Sequence, residues 1–168
     1  MKKEKVERRE EIGPARFEEQ EVEQIMELAE YFVKKGMILK RSRKKVAQMI
    51  KKKELRVVRN INSQKIIGFC ACKILNLEHA MLHFLVVKKG RPFVAERLIK
   101  DWLRSLKILR FKSVFLTTRS DNRLRYTIFK RCGFKEIPIW KTPLKISLLL
   151  VLRRLLKGRK SVVMVKYL

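Results

Sequence analysis

The chain has 168 residues, which sets a prior of one domain with enough length to bury a core without disulfide or metal staples. With 46% hydrophobic and 35% charged residues, its composition excludes a collagen, a coiled-coil rod, a disordered polyelectrolyte and a disulfide-rich secreted domain. Lys and Arg number 43 against 16 Asp and Glu, a net charge of +27, and ten of the acids fall in the first 30 residues. That balance favours a polyanionic partner, with a well-solvated basic surface as the plain alternative.

Along the chain, residues 1–11 read as a charged, loosely ordered start, with no apolar stretch of the kind that marks a secretory signal. Ile12-Gly13-Pro14-Ala15 ends a short strand. The spacing of Val22, Ile25, Met26, Ala29, Phe32 and Val33 predicts a helix over 18–35 with one apolar face. Ser42 is placed to cap a second, very basic helix that turns Val46, Met49 and Ile50 inward. Strands are expected over 54–61 and 65–75, joined by a turn at Asn62-Ser63-Gln64, and over 82–87. A helix over 92–106 follows, with Val94, Leu98, Ile99, Trp102, Leu103 and Leu106 on one face. Residues 112–118 are a strand, Asp121 caps a short helix that stops at Gly133, and 134–140 is extended. A last helix over 144–157 and a strand over 161–168 complete the order.

A run of antiparallel strands followed by α/β crossovers implies an α/β (α+β) fold with a mixed, mostly antiparallel central sheet and helices on both faces. Cys70, Cys72 and Cys132 have no zinc-ligand spacing, so no metal is expected and buried free thiols are the simpler reading. No stretch reaches the roughly 20 apolar residues of a membrane span. A reducing, cytoplasmic setting follows from these readings, with a peripheral place at a membrane as the variant. The 144–157 helix is apolar around most of its circumference, through the run Leu148-Leu149-Leu150-Val151-Leu152. Its second face is read as a homodimer contact or, with Arg153, Arg154 and Lys157 at its end, as a seat on an anionic membrane.

The order and the residues together resemble the GCN5-related N-acetyltransferase (GNAT) superfamily, and within it the N-acetylglutamate-synthase-like branch of amino-acid acetyltransferases. The resemblance rests on Ile12-Gly13-Pro14-Ala15, on Gly36 to Arg43 with its Arg41-Ser42 pair, and on Lys65 to Ala71. It also rests on Leu85-Val86-Val87, on Thr117 to Asn122, on Phe129-Lys130-Arg131-Cys132-Gly133-Phe134 and on Ser161 to Leu168. It implies a single GNAT-like acyl-CoA N-acyltransferase domain over 1–168 that moves an acetyl group from acetyl-CoA to the amine of a small molecule, an amino acid among the candidates.

The same resemblance implies a site. Leu85, Val86 and Val87 would pair with pantetheine, and Lys88, Lys89, Gly90, Arg91, Phe93, Val94 and Ala95 would face the pyrophosphate, with Asn122 and Phe129 also against the cofactor. Arg41 and Arg43 would bind acceptor carboxylates. Three departures stand out. The pyrophosphate loop is about two residues short and keeps one glycine, so side-chain charge must replace backbone N–H groups. The position of the family's thiolate-protonating Tyr is Phe129, which leaves Tyr126, one turn earlier, as the general acid or as a structural tyrosine. The family's strand carboxylate is Met81, which leaves His83 as the base or as a satisfied strand histidine, with Glu78 the remaining carboxylate. The rival reading is a catalytically degenerate GNAT-like fold used as a basic module for RNA or an anionic membrane.

Overall fold

The computed structural model describes residues 10–34, 40–119, 123–143 and 161–168. In chain order the elements are β1 (Glu10–Pro14), α1 (Glu19–Lys34), α2 (Arg43–Lys51), β2 (Leu55–Asn60), β3 (Ile66–Ile74) and β4 (His79–Val87). They continue with α3 (Pro92–Ile108), β5 (Ser113–Arg119), α4 (Arg123–Arg131), β6 (Lys135–Ile137), a 3₁₀ turn (Ile139–Lys141) and β7 (Ser161–Tyr167). The strands make one seven-stranded sheet in the order β1-β2-β3-β4-β5-β7-β6. β4 and β5 are parallel, whereas β1–β2, β2–β3, β5–β7 and β6–β7 are antiparallel, so the sheet is mixed as expected. The chain divides into two compact units, Met1–Ala71 with Phe84–Leu98, and Cys72–His83 with Ile99–Leu168.

In the first unit, the apolar stripes of α1 and α2 close over one face of the strands. Val22, Ile25 and Phe32 of α1 and Val46, Met49 and Ile50 of α2 share a core with Leu55, Val57, Phe69, Ala71 and Val86. Ser42 caps α2 as expected, its Oγ accepting the Lys45 N–H at 3.3 Å. The β2–β3 turn is an Asx turn, with Asn60 Oδ1 accepting from the N–H groups of Asn62 and Ser63 at 3.0 Å. The opposite face of β3 meets α3. Gly68 neighbours Phe69 on the strand and so faces away from it. A Cβ at Gly68 would lie 3.1 Å from the Val86 carbonyl oxygen and 3.5 Å from Leu98 Cδ1.

Strand alternation puts Arg59 on the same α1-facing side of β2 as Leu55 and Val57, next to a register shift between Val58 and Arg59. There it is 2% exposed and donates from Nε to Glu21 Oε1 at 2.5 Å and from Nη2 to the Pro14 carbonyl at 3.0 Å. Glu21 Oε2 in turn accepts the Arg16 N–H at 2.6 Å. This buried ion pair joins α1, β2 and the end of β1. Glu10 and Glu11 belong to β1, paired with Asn60 and Arg59, so these two residues are strand rather than part of the loose start expected over 1–11, whose first nine residues lie outside the described ones.

In the second unit, β5 is the organising strand. It pairs with β4 from His79↔Ser113 to Leu82↔Leu116 and with β7 from Ser113↔Tyr167 to Arg119↔Ser161. That pairing with β5 is why β4 starts at His79, three residues before the expected strand. Met81, Phe115, Val163 and Val165 form one of its core clusters, with Leu75, Ile137 and Ile139 packed against them. α4 ends on Gly133 at φ +83°, the left-handed cap that glycine adopts without strain. The expected extended run over 134–140 is shorter, because Pro138 has no N–H for a ladder and the chain turns into the 3₁₀ segment. All three cysteines are buried and free, as expected. The helix expected over 144–157, and Asn122, lie outside the described residues.

Candidate active site

The first unit holds the strand end, the loop and the head of α3 that the resemblance singles out. Leu85 and Val86 are buried, and Val86 is part of the α1–α2 core, so only its backbone could face a ligand. The Lys88 N–H is taken by the Ile67 carbonyl at 2.9 Å. Beyond it Lys88, Lys89 and Gly90 are exposed, at the N-terminus of the 17-residue α3. Gly90 sits at φ +82°, and nothing lies within 4 Å of where its Cβ would be. Two exposed ammonium groups and an open left-handed glycine at a long helix's positive end suit a phosphate-bearing group.

Other residues of the expected set differ in what they leave for a ligand. Arg91 is not a free cation: its Nη1 donates to Glu10 Oε1 at 2.6 Å, and Glu10 also takes Arg97 Nη1 at 3.0 Å. Val94 and Ala95 are 4% and 5% exposed, core side chains of α3 that leave only backbone atoms for a ligand. Phe93 is exposed at the head of the helix. Glu10 escaped notice in the sequence because its partners are more than 80 positions away and no local pattern marks it.

The unit also contains a pocket of about 500 Å³ between α1, α2 and strands β2 to β4. Its apolar wall includes Ile25, Met26, Ala29, Met49, Phe69 and Phe84. Arg41 lines it, with its guanidinium carbon 5.3 Å from the centre of the Phe84 ring. Arg41 Nε is buried without a hydrogen-bond partner among the described residues. Arg43, its expected companion, bridges Glu19 at 2.7 Å and Glu23 at 2.8 Å, so its charge is spent on α1. Phe84 immediately precedes Leu85, so pocket wall and candidate pantetheine strand are consecutive on β4.

His83, Tyr126 and Phe129 belong to the second unit. His83 is half-buried on β4. Glu78, the other base candidate, is held by Lys112 Nζ, and that hydrogen bond and charge keep its carboxyl below the ordinary carboxylate range. A carboxylate so stabilised is a poor proton acceptor. The Tyr126 hydroxyl donates to Glu136 Oε2 at 2.9 Å, and Lys130 Nζ lies 4.5 Å from its ring centre. Phe129 is buried edge-on against Phe134, with ring centres 6.0 Å apart. No cluster of three metal-ligating side chains occurs among the described residues.

By sequence, no family model and no curated protein matches the chain. Solved structures do match. N-acetylglutamate synthase from Neisseria gonorrhoeae, complexed with coenzyme A and N-acetylglutamate, is 18% identical, with a TM-score of 0.75 over 95% of this chain. The chain spans 35% of that protein's length. An acetyltransferase from Streptococcus agalactiae is 15% identical, with a TM-score of 0.74 over 95% of this chain and 98% of its own. The PaiA N-acetyltransferase from Thermoplasma acidophilum, complexed with coenzyme A, is 16% identical, with a TM-score of 0.71 over 95% and 99%. The chain therefore shares the fold of these acetyltransferases, the acyl-CoA N-acyltransferase fold with its mixed seven-stranded sheet.

Proposed function

We propose that the chain is an acetyl-CoA-dependent N-acetyltransferase whose acceptor is the amine of a small molecule, within the amino-acid class. The observation that carries this reading is the exposed Lys88-Lys89-Gly90 loop between the end of β4 and the head of α3. Acetyl-CoA would supply the thioester. The acceptor nitrogen attacks the carbonyl carbon, the C–N bond forms, the C–S bond breaks and the sulfur leaves with the electron pair. Backbone groups of Leu85 to Val87 would align the pantetheine, and Lys88 and Lys89 would hold the pyrophosphate as point charges. Alignment of this kind provides much of the rate in a direct transfer. His83, rather than the stabilised Glu78, would take the amine proton.

The test is a calorimetric titration with acetyl-CoA at salt high enough to suppress nonspecific phosphate binding. Saturable binding is expected, weakened about tenfold or more by Lys88→Glu with Lys89→Glu, since charge-assisted contacts to phosphate are lost and repulsion is added. No binding, or binding indifferent to both substitutions, would refute the reading.

One observation favours the rival reading of a basic binding module. Lys44, Lys45, Lys51, Lys52 and Lys53 are all exposed along and just past α2, and Phe17, 58% exposed, has Lys51 Nζ 4.6 Å from its ring centre. Such a face suits a phosphate backbone with a stacking platform beside it.

A further inference from the structure

The 500 Å³ pocket has a chemistry that narrows the acceptor. Its interior wall is hydrocarbon, sulfur and aromatic ring, contributed by α1, α2, β2, β3 and β4. Its cations are not equal. Lys34 is paired with Glu30 at 3.2 Å, and Lys40 is exposed at the rim. Arg43 is committed to Glu19 and Glu23. Arg41 is half-buried, stacked on Phe84, and makes no ion pair among the described residues. A partly desolvated guanidinium gains from a carboxylate that reaches its terminal nitrogens. The acids Glu23, Glu27 and Glu30 border the same pocket and repel a second carboxylate.

We propose that this pocket binds an α-amino acid with an apolar side chain, its single carboxylate on Arg41 and its side chain against Met26, Ala29, Met49 and Phe69, and that it disfavours dicarboxylates such as glutamate. The inference rests on the acetyltransferase reading for its place in catalysis, since Phe84 leads directly into Leu85 to Val87. It stands on the pocket itself for binding. A dicarboxylate would have to place its second charge against an apolar wall or at a rim where Glu23, Glu27 and Glu30 outnumber Lys34 and Lys40, with Lys34 already paired to Glu30, and either is unfavourable. A side chain of leucine or methionine size buries its methylenes there at a gain.

Direct binding to the full chain, followed by calorimetry and saturation-transfer NMR, tests this without relying on turnover. L-Leucine is the probe, with L-glutamate and isoamylamine, which is leucine without its carboxylate, as comparisons. Leucine is expected to bind with a Kd of about 1 mM or tighter. Glutamate and isoamylamine should each be weaker by about tenfold or more. Arg41→Met should reduce leucine binding to the isoamylamine level. Ala29→Phe, which fills the pocket and keeps the Arg41 guanidinium in the chain, should abolish leucine binding and leave the acetyl-CoA titration unchanged. The isoamylamine comparison needs no variant, so it decides the Arg41 contact even if a substitution fails to fold. Absent leucine binding, a preference for glutamate, or leucine affinity untouched by Ala29→Phe overturns the proposal. Leucine binding without acetyl-CoA binding upholds the pocket and removes the acetyltransferase reading instead.

Discussion

Arg59 and Glu21 show how a pair of charges can be core residues. Both are buried, the guanidinium has carboxylate and carbonyl partners, and the carboxylate has a second N–H donor. Burial of either charge alone is costly, so Glu21→Leu is expected to destabilise the fold by about 3–5 kcal/mol in chemical denaturation. The double substitution Glu21→Leu with Arg59→Met should recover much of that loss, because the unpaired charge is removed. A double variant as unstable as the single would show that packing, not charge, dominates. Glu78 and Lys112 are the exposed counterpart. The Glu78 carboxyl is held below its ordinary value by the Lys112 hydrogen bond and charge, ahead of a minor contribution from His79. A folded pKa below the unfolded one contributes stability above the unfolded value and loses it as pH falls through the folded one. An NMR titration of Glu78 should therefore show a midpoint below the ordinary carboxylate range. Lys112→Met should move that midpoint up toward the ordinary value.

At the scale of elements, what the sequence makes legible is local and periodic. The stripe of Val22, Ile25 and Phe32, the Ser42 cap, the turn at Asn62-Ser63 and the Gly133 stop each depend on neighbours within a few positions, and each is where the pattern puts it. The start of β4 depends on pairing with the distant β5, which no local pattern encodes. Gly68 joins the two scales. It is an ordinary strand position by pattern, yet it allows β3, β4 and α3 to approach, with the Val86 carbonyl and Val87 Cγ2 both 3.1 Å from a Cβ placed there. Gly68→Leu should cost about 1–3 kcal/mol through overpacking. Gly90→Leu meets no such neighbours and should show only the smaller penalty of a side chain at positive φ. Equal losses at the two positions would mean that backbone conformation, not crowding, sets the requirement at Gly68.

For the whole molecule, the candidate site was legible in proportion to how much of it is backbone and loop. Lys88, Lys89 and Gly90 stand where the motif order puts them, because a strand–loop–helix connection carries its own address in the chain. Arg91, Arg43 and Tyr126 were legible as residue types only. Their carboxylate partners Glu10, Glu19, Glu23 and Glu136 are fixed by tertiary structure, and a paired cation and a free one look alike in sequence. This pairing also changes the meaning of the charge. The acids are concentrated early in the chain, and several of them neutralise specific arginines, whereas much of the remaining excess of +27 has no acid available to balance it.

That excess leads to a prediction about stability rather than binding. With 43 basic against 16 acidic residues, cations far outnumber the acids that could pair with them, and folding brings the excess closer together than in the unfolded chain. Salt at about 0.15 M shortens the screening length to about 8 Å, which weakens repulsion between exposed charges while leaving the buried Arg59–Glu21 pair nearly unaffected. The melting temperature should therefore rise by several degrees between low salt and about 0.5 M sodium chloride. If exposed ion pairs such as Arg43–Glu19 and Lys34–Glu30 governed stability instead, the same titration would lower it, because those attractions are screened equally. Sulfate or a polyphosphate should raise the melting temperature further than chloride at equal ionic strength only where anions bind the folded chain at defined cations. Lys88→Glu with Lys89→Glu should then remove the part of that excess that belongs to the loop and leave the chloride response in place.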